Sequence, residues 1–189
     1  MILSDRDLRA RLKAGDLVVE ELEDEQIQIQ PASIDLRLDS EFMVYRRRAV
    51  ICLDPQQPET LQRAVDLVRV ERGEAFVLHP GAFALGSTSE RVKIPADLVA
   101  QVNGRSSIGR LGVIVHATAG FVDPGFEGQI TLELSNVGPL PVRLYPGMRI
   151  AQIVLCRMSS AAEIPYGEAR GSSYQGQQGP LMSRVRLDR

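Results

Sequence analysis

The chain has 189 residues, 44% hydrophobic and 24% charged, with a formal net charge of −2. Those proportions are typical of a soluble globular protein with a sizeable core. The charge argues against a general nucleic-acid binder, which carries a basic excess, but it leaves room for a local arginine cluster around one small anion. The two cysteines, Cys52 and Cys156, stand far apart and form no CxxC pair. A disulfide framework or thiolate metal site is therefore not expected, and a reducing cytoplasm is the expected compartment. The first residues are charged from Asp5 onward, and no apolar run reaches signal-peptide or membrane-span length, so no membrane contact is expected.

In chain order, Ser4 and Asp7 predict a helix start, with Ser4 accepting an orphan backbone N–H. Leu8 and Leu12 supply one apolar stripe and Gly15 the stop. From about Ile27 the period changes to two. Ile34, Leu36 and Leu38 alternate with Asp35, Arg37 and Asp39, which predicts a half-buried strand. Phe42, Val44 and Val50-Ile51 suggest further strands around a solvated basic turn, Arg46-Arg47-Arg48. Residues 54–66 are polar and Pro-bearing, and predict an excursion. Short apolar segments follow at 75–78, 82–85, 98–102, 113–115, 129–134, 142–144 and 150–155. The breakers HPG (79–81), DPG (123–125) and YPG (145–147) separate several of them. Many short strands at this spacing predict a sandwich, jelly roll or distorted barrel. No Rossmann or P-loop glycine pattern is present. The segment from Tyr166 is glycine-rich and polar. It reads either as a disordered terminus or as a strap that orders over a ligand through Arg170, Gln177 and Gln178.

Three stretches carry candidate chemistry. Gly104-Arg105-Ser106-Ser107-Ile108-Gly109-Arg110 packs two arginines and two hydroxyls between glycines. It is either a polar loop with a helix start or a phosphate cradle, since guanidinium forks match phosphate oxygens two at a time. Asp123-Pro124-Gly125 is a turn sequence whose aspartate either bonds its own backbone or faces a sugar or base. In Gln129-Ile130-Thr131-Leu132-Glu133-Leu134 the strand period puts Glu133 and Thr131 opposite the leucines. Glu133 is then either a solvent-facing residue or, if its face is covered, a group placed for proton transfer. His79 and His116 alone cannot form a three-ligand catalytic zinc site, and His79 beside Pro80-Gly81 reads as a turn residue. The zinc-deaminase signature, His-x-Glu with a later Pro-Cys-x-x-Cys, is absent, so any deamination would activate water without zinc.

Taken together, SDRDLRARLKAG, QPASIDLRL, FVLHPGAFALGSTSE, GRSSIGRLG through ITLELSN, PGMRIAQ and PYGEARGSSYQGQQG resemble the dCTP deaminase family, within the trimeric dUTPase superfamily. The resemblance runs over nearly the whole chain. It implies a mainly β, dUTPase-like distorted barrel or jelly roll with a few short helices. It also implies one domain over residues 1–189, with 166–189 a flexible segment closing over substrate. A homotrimer with active sites between subunits is implied as well. The implied reaction is hydrolytic deamination of dCTP to dUTP with release of ammonia, supplying dUMP for thymidylate synthesis. Alternatives are a bifunctional enzyme releasing dUMP and diphosphate, a plain dUTPase, and a nucleotide-binding regulator without chemistry.

By the same resemblance, Glu133 is the general base, and Ser106 and Arg110 position water and stabilise charge at C4 of the cytosine. Arg105, Ser106, Ser107, Ile108, Gly109 and Arg110 form the substrate loop. Asp123 contacts the nucleoside, Thr131, Leu132 and Glu133 read the pyrimidine edge, and Tyr166 and Gln177 close over the triphosphate. Gly120, Phe121 and Gln152 match the bifunctional branch. Ser173 stands where relatives often carry a lysine, and Arg170 is the candidate substitute. No metal is implied for the deamination itself, and magnesium is expected only as counterion of the triphosphate.

Overall fold

The computed structural model describes residues 1–46 and 50–184. Arg47 and Arg48 of the basic turn lie outside the described residues, while Arg46 pairs with Asp66 at 3.3 Å. Helix α1 (Asp5–Ala14) carries Asp5 and Asp7 in its first turn and Arg11 and Lys13 in its last. Each sign therefore sits at the helix end whose dipole favours it. Gly15 closes the helix at φ 76°, its N–H bonded to the Arg11 and Leu12 carbonyls, a conformation that costs glycine no Cβ clash. The expected Ser4 side-chain cap is not made. The helix is instead tied sideways, Arg11 reaching Asp16 and Asp97 at 2.7 Å each.

The elements that follow are β1 (Val18–Val19), α2 (Glu25–Gln28), β2 (Ile29–Gln30), β3 (Ser33–Arg37), β4 (Glu41–Tyr45), α3 (Pro58–Ala64), β5 (Val65–Arg69) and β6 (Phe76–Leu78). Then come β7 (Phe83–Lys93), β8 (Leu98–Gly104), α4 (Ser106–Gly109), β9 (Val113–Ile114), β10 (Phe121–Val122), β11 (Glu127–Asn136), β12 (Val142–Leu144) and β13 (Arg149–Arg157). One sheet runs β5-β4-β7-β11-β9, with β1 also on β7; a second runs β10-β8-β13-β3-β2; β12 and β6 form a small ribbon. A bridge between Leu38 and Thr88 ties the two large sheets together. The mainly β architecture is the expected one, built from open sheets whose apolar faces share a core.

Two expectations need correction. Strand β3 is buried on both faces, with Asp35 1% and Arg37 8% exposed. Alternation shows only that two faces differ in polarity; here the charged face meets partners instead of water. Arg37 bonds fully buried Glu90 at 2.7 Å and also pairs with Glu23. Second, residues 54–66 are not a plain excursion. They include α3, with Pro58 in its first turn, and lead into β5, which pairs with β4 from Glu41–Arg69 to Tyr45–Val65. As an edge strand with no fully buried residue, β5 leaves little apolar signal. Val50-Ile51 forms no strand, and Ile51 is fully exposed.

Strand β11 decides where the chemistry can sit. Its even-numbered residues, Ile130, Leu132 and Leu134 among them, are buried, while Glu127 through Ser135 on odd numbers are half-buried. The polar tail lies along that second face. Gly176 N–H donates to the Glu127 carbonyl at 2.7 Å, Gln129 N–H to the Gln177 carbonyl at 3.1 Å, and Gly179 N–H to Gln129 Oε1 at 2.6 Å. A segment with little apolar surface is thus held by main-chain hydrogen bonds.

A side chain at Gly128 would sit at φ 152° and place a Cβ 3.0 Å from the Gln177 N and O atoms. Gly128→Ala should therefore cost about 1–3 kcal/mol of local strain. Amide exchange at Gln129 and Gly179 should accelerate in this variant. Separately, Arg11 holds the Asp97 carboxyl below its ordinary range, chiefly by a direct hydrogen bond. That pairing stabilises the fold above the unfolded aspartate value of about 3.9 and is lost as pH falls through the lower folded value. The stability gap between wild type and Arg11→Gln, read from urea midpoints, should be widest above about pH 4 and close at lower pH.

Candidate active site

A cavity of about 430 Å³ opens over the half-buried face of β11. Ile130, Thr131 and Glu133 come from that strand, Tyr45 from the end of β4, and Phe83 and Leu85 from β7. The register explains the grouping, because Glu133 lies opposite Leu85 on β7, and Leu85 opposite Met43 on β4. Tyr45 and Phe83 rings meet at 5.7 Å, giving the cavity an aromatic wall. On the other side, Phe126 and Tyr166 pack edge to face at 5.8 Å.

Glu133 is half-buried and lines the cavity. The Thr118 hydroxyl stands 2.9 Å from both carboxylate oxygens, and Ala117 N–H donates at 3.4 Å. These contacts come from the loop between β9 and β10 and fix the carboxylate's orientation without filling the cavity. Burial first, and then the charge of Glu133, push the Tyr45 hydroxyl above its ordinary range. His116 Nε2 lies 2.9 Å from the Ala119 carbonyl, so Nε2–H is the donor. Its Nδ1 is buried and without a partner among the described residues.

The structure brings Asp123, Phe121, Thr131, Glu133, Tyr166 and Gln177 to this cavity. Asp123 lines the cavity, and its main-chain carbonyl accepts the Phe126 N–H at 3.1 Å to close the turn. Phe121 is 69% exposed and stands at the rim. Gly120 passes close to β8, its carbonyl accepting the Val102 N–H at 2.7 Å. Gln177 is buried, its amide bonded to the Gln129 carbonyl and to Thr131 Oγ1. Tyr166 Oη accepts the Tyr174 N–H at 3.0 Å. Arg170 Nε donates to the Ile164 carbonyl at 2.7 Å, and Arg184 donates to the Ser173 carbonyl at 2.9 Å.

The remaining site residues stand elsewhere on the chain. Arg105, Ser106, Ser107, Gly109 and Arg110 do not line the cavity, and neither does Gln152, which sits on β13 opposite Asp35 and Asn103. Helix α4 is a single turn, with Ser106, Ser107 and Arg110 exposed. Two expected contact residues turn their side chains inward. Ile108 is 5% exposed and anchors the loop in the core, and Leu132 is fully buried. Each therefore offers a ligand only its main chain. Arg105 is oriented by Asp35, its Nε 3.1 Å from Oδ2, while Arg149 approaches the same oxygen at 3.0 Å. Burial pushes the Asp35 carboxyl above its ordinary range, and the two arginines pull it back.

Sequence reasoning missed Tyr45, Phe83, Thr118 and Tyr174 as site residues. Tyr174 lies in the tail segment already read as a strap over a ligand; Tyr45 and Phe83 arrive through strand register and Thr118 through the loop before β10, which no local pattern encodes. Among the described residues no group of three or more His, Cys, Asp or Glu side chains stands together to hold a metal. No helix among them is long and apolar enough to cross a membrane.

Comparison with known proteins gives the geometry its relatives. A family model described as dCTP deaminase-like matches residues 2–158. The dCTP deaminase of Natronomonas pharaonis is 57% identical over 189 residues, covering 100% of this chain and 97% of its own. A protein of Halobacterium salinarum named dCTP deaminase, dUMP-forming, is 56% identical with the same coverage. One of that name from Dictyoglomus thermophilum is 54% identical over 188 residues, 100% of this chain and 96% of its own. The crystal structure of 2′-deoxycytidine 5′-triphosphate deaminase from Agrobacterium tumefaciens superposes with TM-score 0.63 at 31% identity. It covers 82% of this chain and 46% of that one, so the likeness spans less than half of the longer protein. A match that takes in both the β11 strand and the loop at 104–110, with relatives alike from end to end, places this chain in the dCTP deaminase-like family.

Proposed function

We propose that this chain catalyses the hydrolytic deamination of dCTP, with Glu133 as the general base. The observation that carries the reading is a carboxylate held by Thr118 and Ala117 at the wall of an aromatic-sided cavity of nucleoside size. Water attacks C4 of the cytosine while Glu133 accepts its proton. The tetrahedral carbon then expels N4, Glu133 returns the proton to it, and ammonia leaves as the C4–N4 bond breaks. Of the two protons of water, one thus ends on N4 and leaves in ammonia and the other ends on N3 of the ring, while the water oxygen becomes the C4 carbonyl of uracil; no cofactor is consumed. Positioned general-base help is worth about 10²–10⁴-fold, and orientation in an enclosed site supplies much of the rest.

Among the described residues no lysine or arginine lines this cavity, yet a triphosphate needs cations to hold it. That mismatch supports a homotrimer in which a neighbouring copy brings Arg105, Ser106 and Arg110 to the Glu133 cavity. In this reading Arg110 and Ser106 stabilise charge at C4 from across the interface, and magnesium enters only as counterion of the triphosphate. Tyr166 and Gln177 belong to the segment that closes over the phosphates.

A second reading adds hydrolysis of the triphosphate, releasing dUMP and diphosphate. It is favoured by Phe121 standing at the cavity rim beside Asp123, where the ammonia-only branch carries bulkier polar residues, and relatives above half identity carry the dUMP-forming name.

Incubation of purified protein with dCTP should release ammonia; phosphate products from dUTP with dCTP untouched would overturn the deaminase reading. Chromatography of the same mixture separates the branches, accumulating dUTP for the first and dUMP plus diphosphate for the second. Glu133→Gln should bind dCTP as wild type does while turnover falls by about 10²-fold or more.

A further inference from the structure

We infer that Arg105 and Arg149, tethered to the single buried carboxylate of Asp35, form a two-arginine clamp for the phosphate chain, with Asp35 as its positioning residue. The inference rests on the nucleotide reading above and extends it to two residues outside the substrate loop.

Asp35 is 1% exposed in the middle of β3. Its Oδ2 lies 3.1 Å from Arg105 Nε and 3.0 Å from Arg149 Nη1. Arg105 Nη1 also donates to the Arg149 carbonyl at 3.3 Å, and Arg149 Nη1 to the Ile27 carbonyl at 3.0 Å. Both guanidinium groups therefore crowd one oxygen, and one negative charge answers two positive ones. The excess is +1, and it is not hidden: the Arg105 and Arg149 side chains are 27% and 32% exposed. Among the described residues, the Nη2 of Arg105 and both Nε and Nη2 of Arg149 have no protein acceptor. These are unspent donors on planar forks, suited to the oxygens of a phosphate chain.

The backbone fixes where this charge is presented. Arg105 immediately precedes α4, whose Ile108 is seated in the core, and its N–H donates to the Ile150 carbonyl at 3.1 Å. Arg149 opens β13, two strands away from β10 in the same sheet. An arginine on a loop would otherwise sample many rotamers. Sharing a buried anchor removes that freedom before the ligand arrives, and preorganised donors bind with less entropic loss. A purely structural ion pair would need only one arginine for one carboxylate; the second leaves a charge looking for an anion.

The test uses the full-length protein and inorganic tripolyphosphate, which carries no base. Binding measured by titration calorimetry should weaken about 10-fold or more in Arg149→Gln, the loss expected for one charge-assisted contact, and less in Arg149→Lys. Asp35→Asn should weaken tripolyphosphate binding and raise KM for dCTP more than it lowers kcat. Arg11→Gln serves as control, since it breaks a different ion pair and should bind tripolyphosphate as wild type does. Equal tripolyphosphate affinity in wild type and Arg149→Gln would overturn the clamp, whether or not Asp35→Asn folds. Because tripolyphosphate has nothing to deaminate, a protein that binds it through Arg149 yet leaves dCTP intact would sink the proposed function and keep the clamp.

Discussion

The two faces of β11 are the constraint from which the rest of this structure follows. A strand forces neighbouring side chains to opposite sides, and here one side is the centre of the core. Leu132 and Leu134 are fully buried, so the strand cannot shift by one residue without turning Glu133 into the core and a leucine outward. Burial of the leucines thereby aims the carboxylate. The same face receives the tail, and Tyr45 and Phe83 reach it because β7 and β4 are stacked beside β11 in register.

Buried charge supplies the second level of order. Glu90 is fully buried and answered by Arg37, with Gln28 donating at 2.8 Å to one of its oxygens. Asp35 is answered by Arg105 and Arg149 on the neighbouring strand and loop. Removing one partner of such a group leaves an uncompensated charge, which is far more costly than the pair is worth. Strand β3 is therefore more than a spacer. It holds an arginine of the loop at 104–110 from below while its apolar residues bind the two sheets together.

The cavity and the loop at 104–110 are complementary in a way that neither shows alone. One has a carboxylate, aromatic walls and, among the described residues, no lysine or arginine; the other has arginines, hydroxyls and no enclosure. A nucleoside triphosphate needs both, an apolar slot for the ring and cations for the phosphates. Their separation on a single chain is the physical reason for expecting the site to be completed by another copy.

Much of this was legible in local pattern. Seven short apolar segments mark strands β6 through β9 and β11 through β13, while the two-residue β10 left no such mark, and the alternation through Gln129–Leu134 identifies which side of β11 Glu133 occupies. Strand β5 and helix α3 were not legible, since an exposed edge strand and a short polar helix bury too little to leave a period. Composition also left the tail undecided. Several of its hydrogen bonds run through main-chain atoms of Gly176, Gln177 and Gly179, and main-chain atoms leave no trace in residue identity.

By itself, the sequence determined the β character, the inward face of β11 and the residue types available for chemistry, because these depend on near neighbours in the chain. Only the tertiary structure decided that the charged face of β3 is dry, that Thr118 steadies Glu133, and that Asp35 holds two arginines at once. Each of those pairs residues far apart in the sequence, and strand register, a property of the whole sheet, determines which distant residues meet.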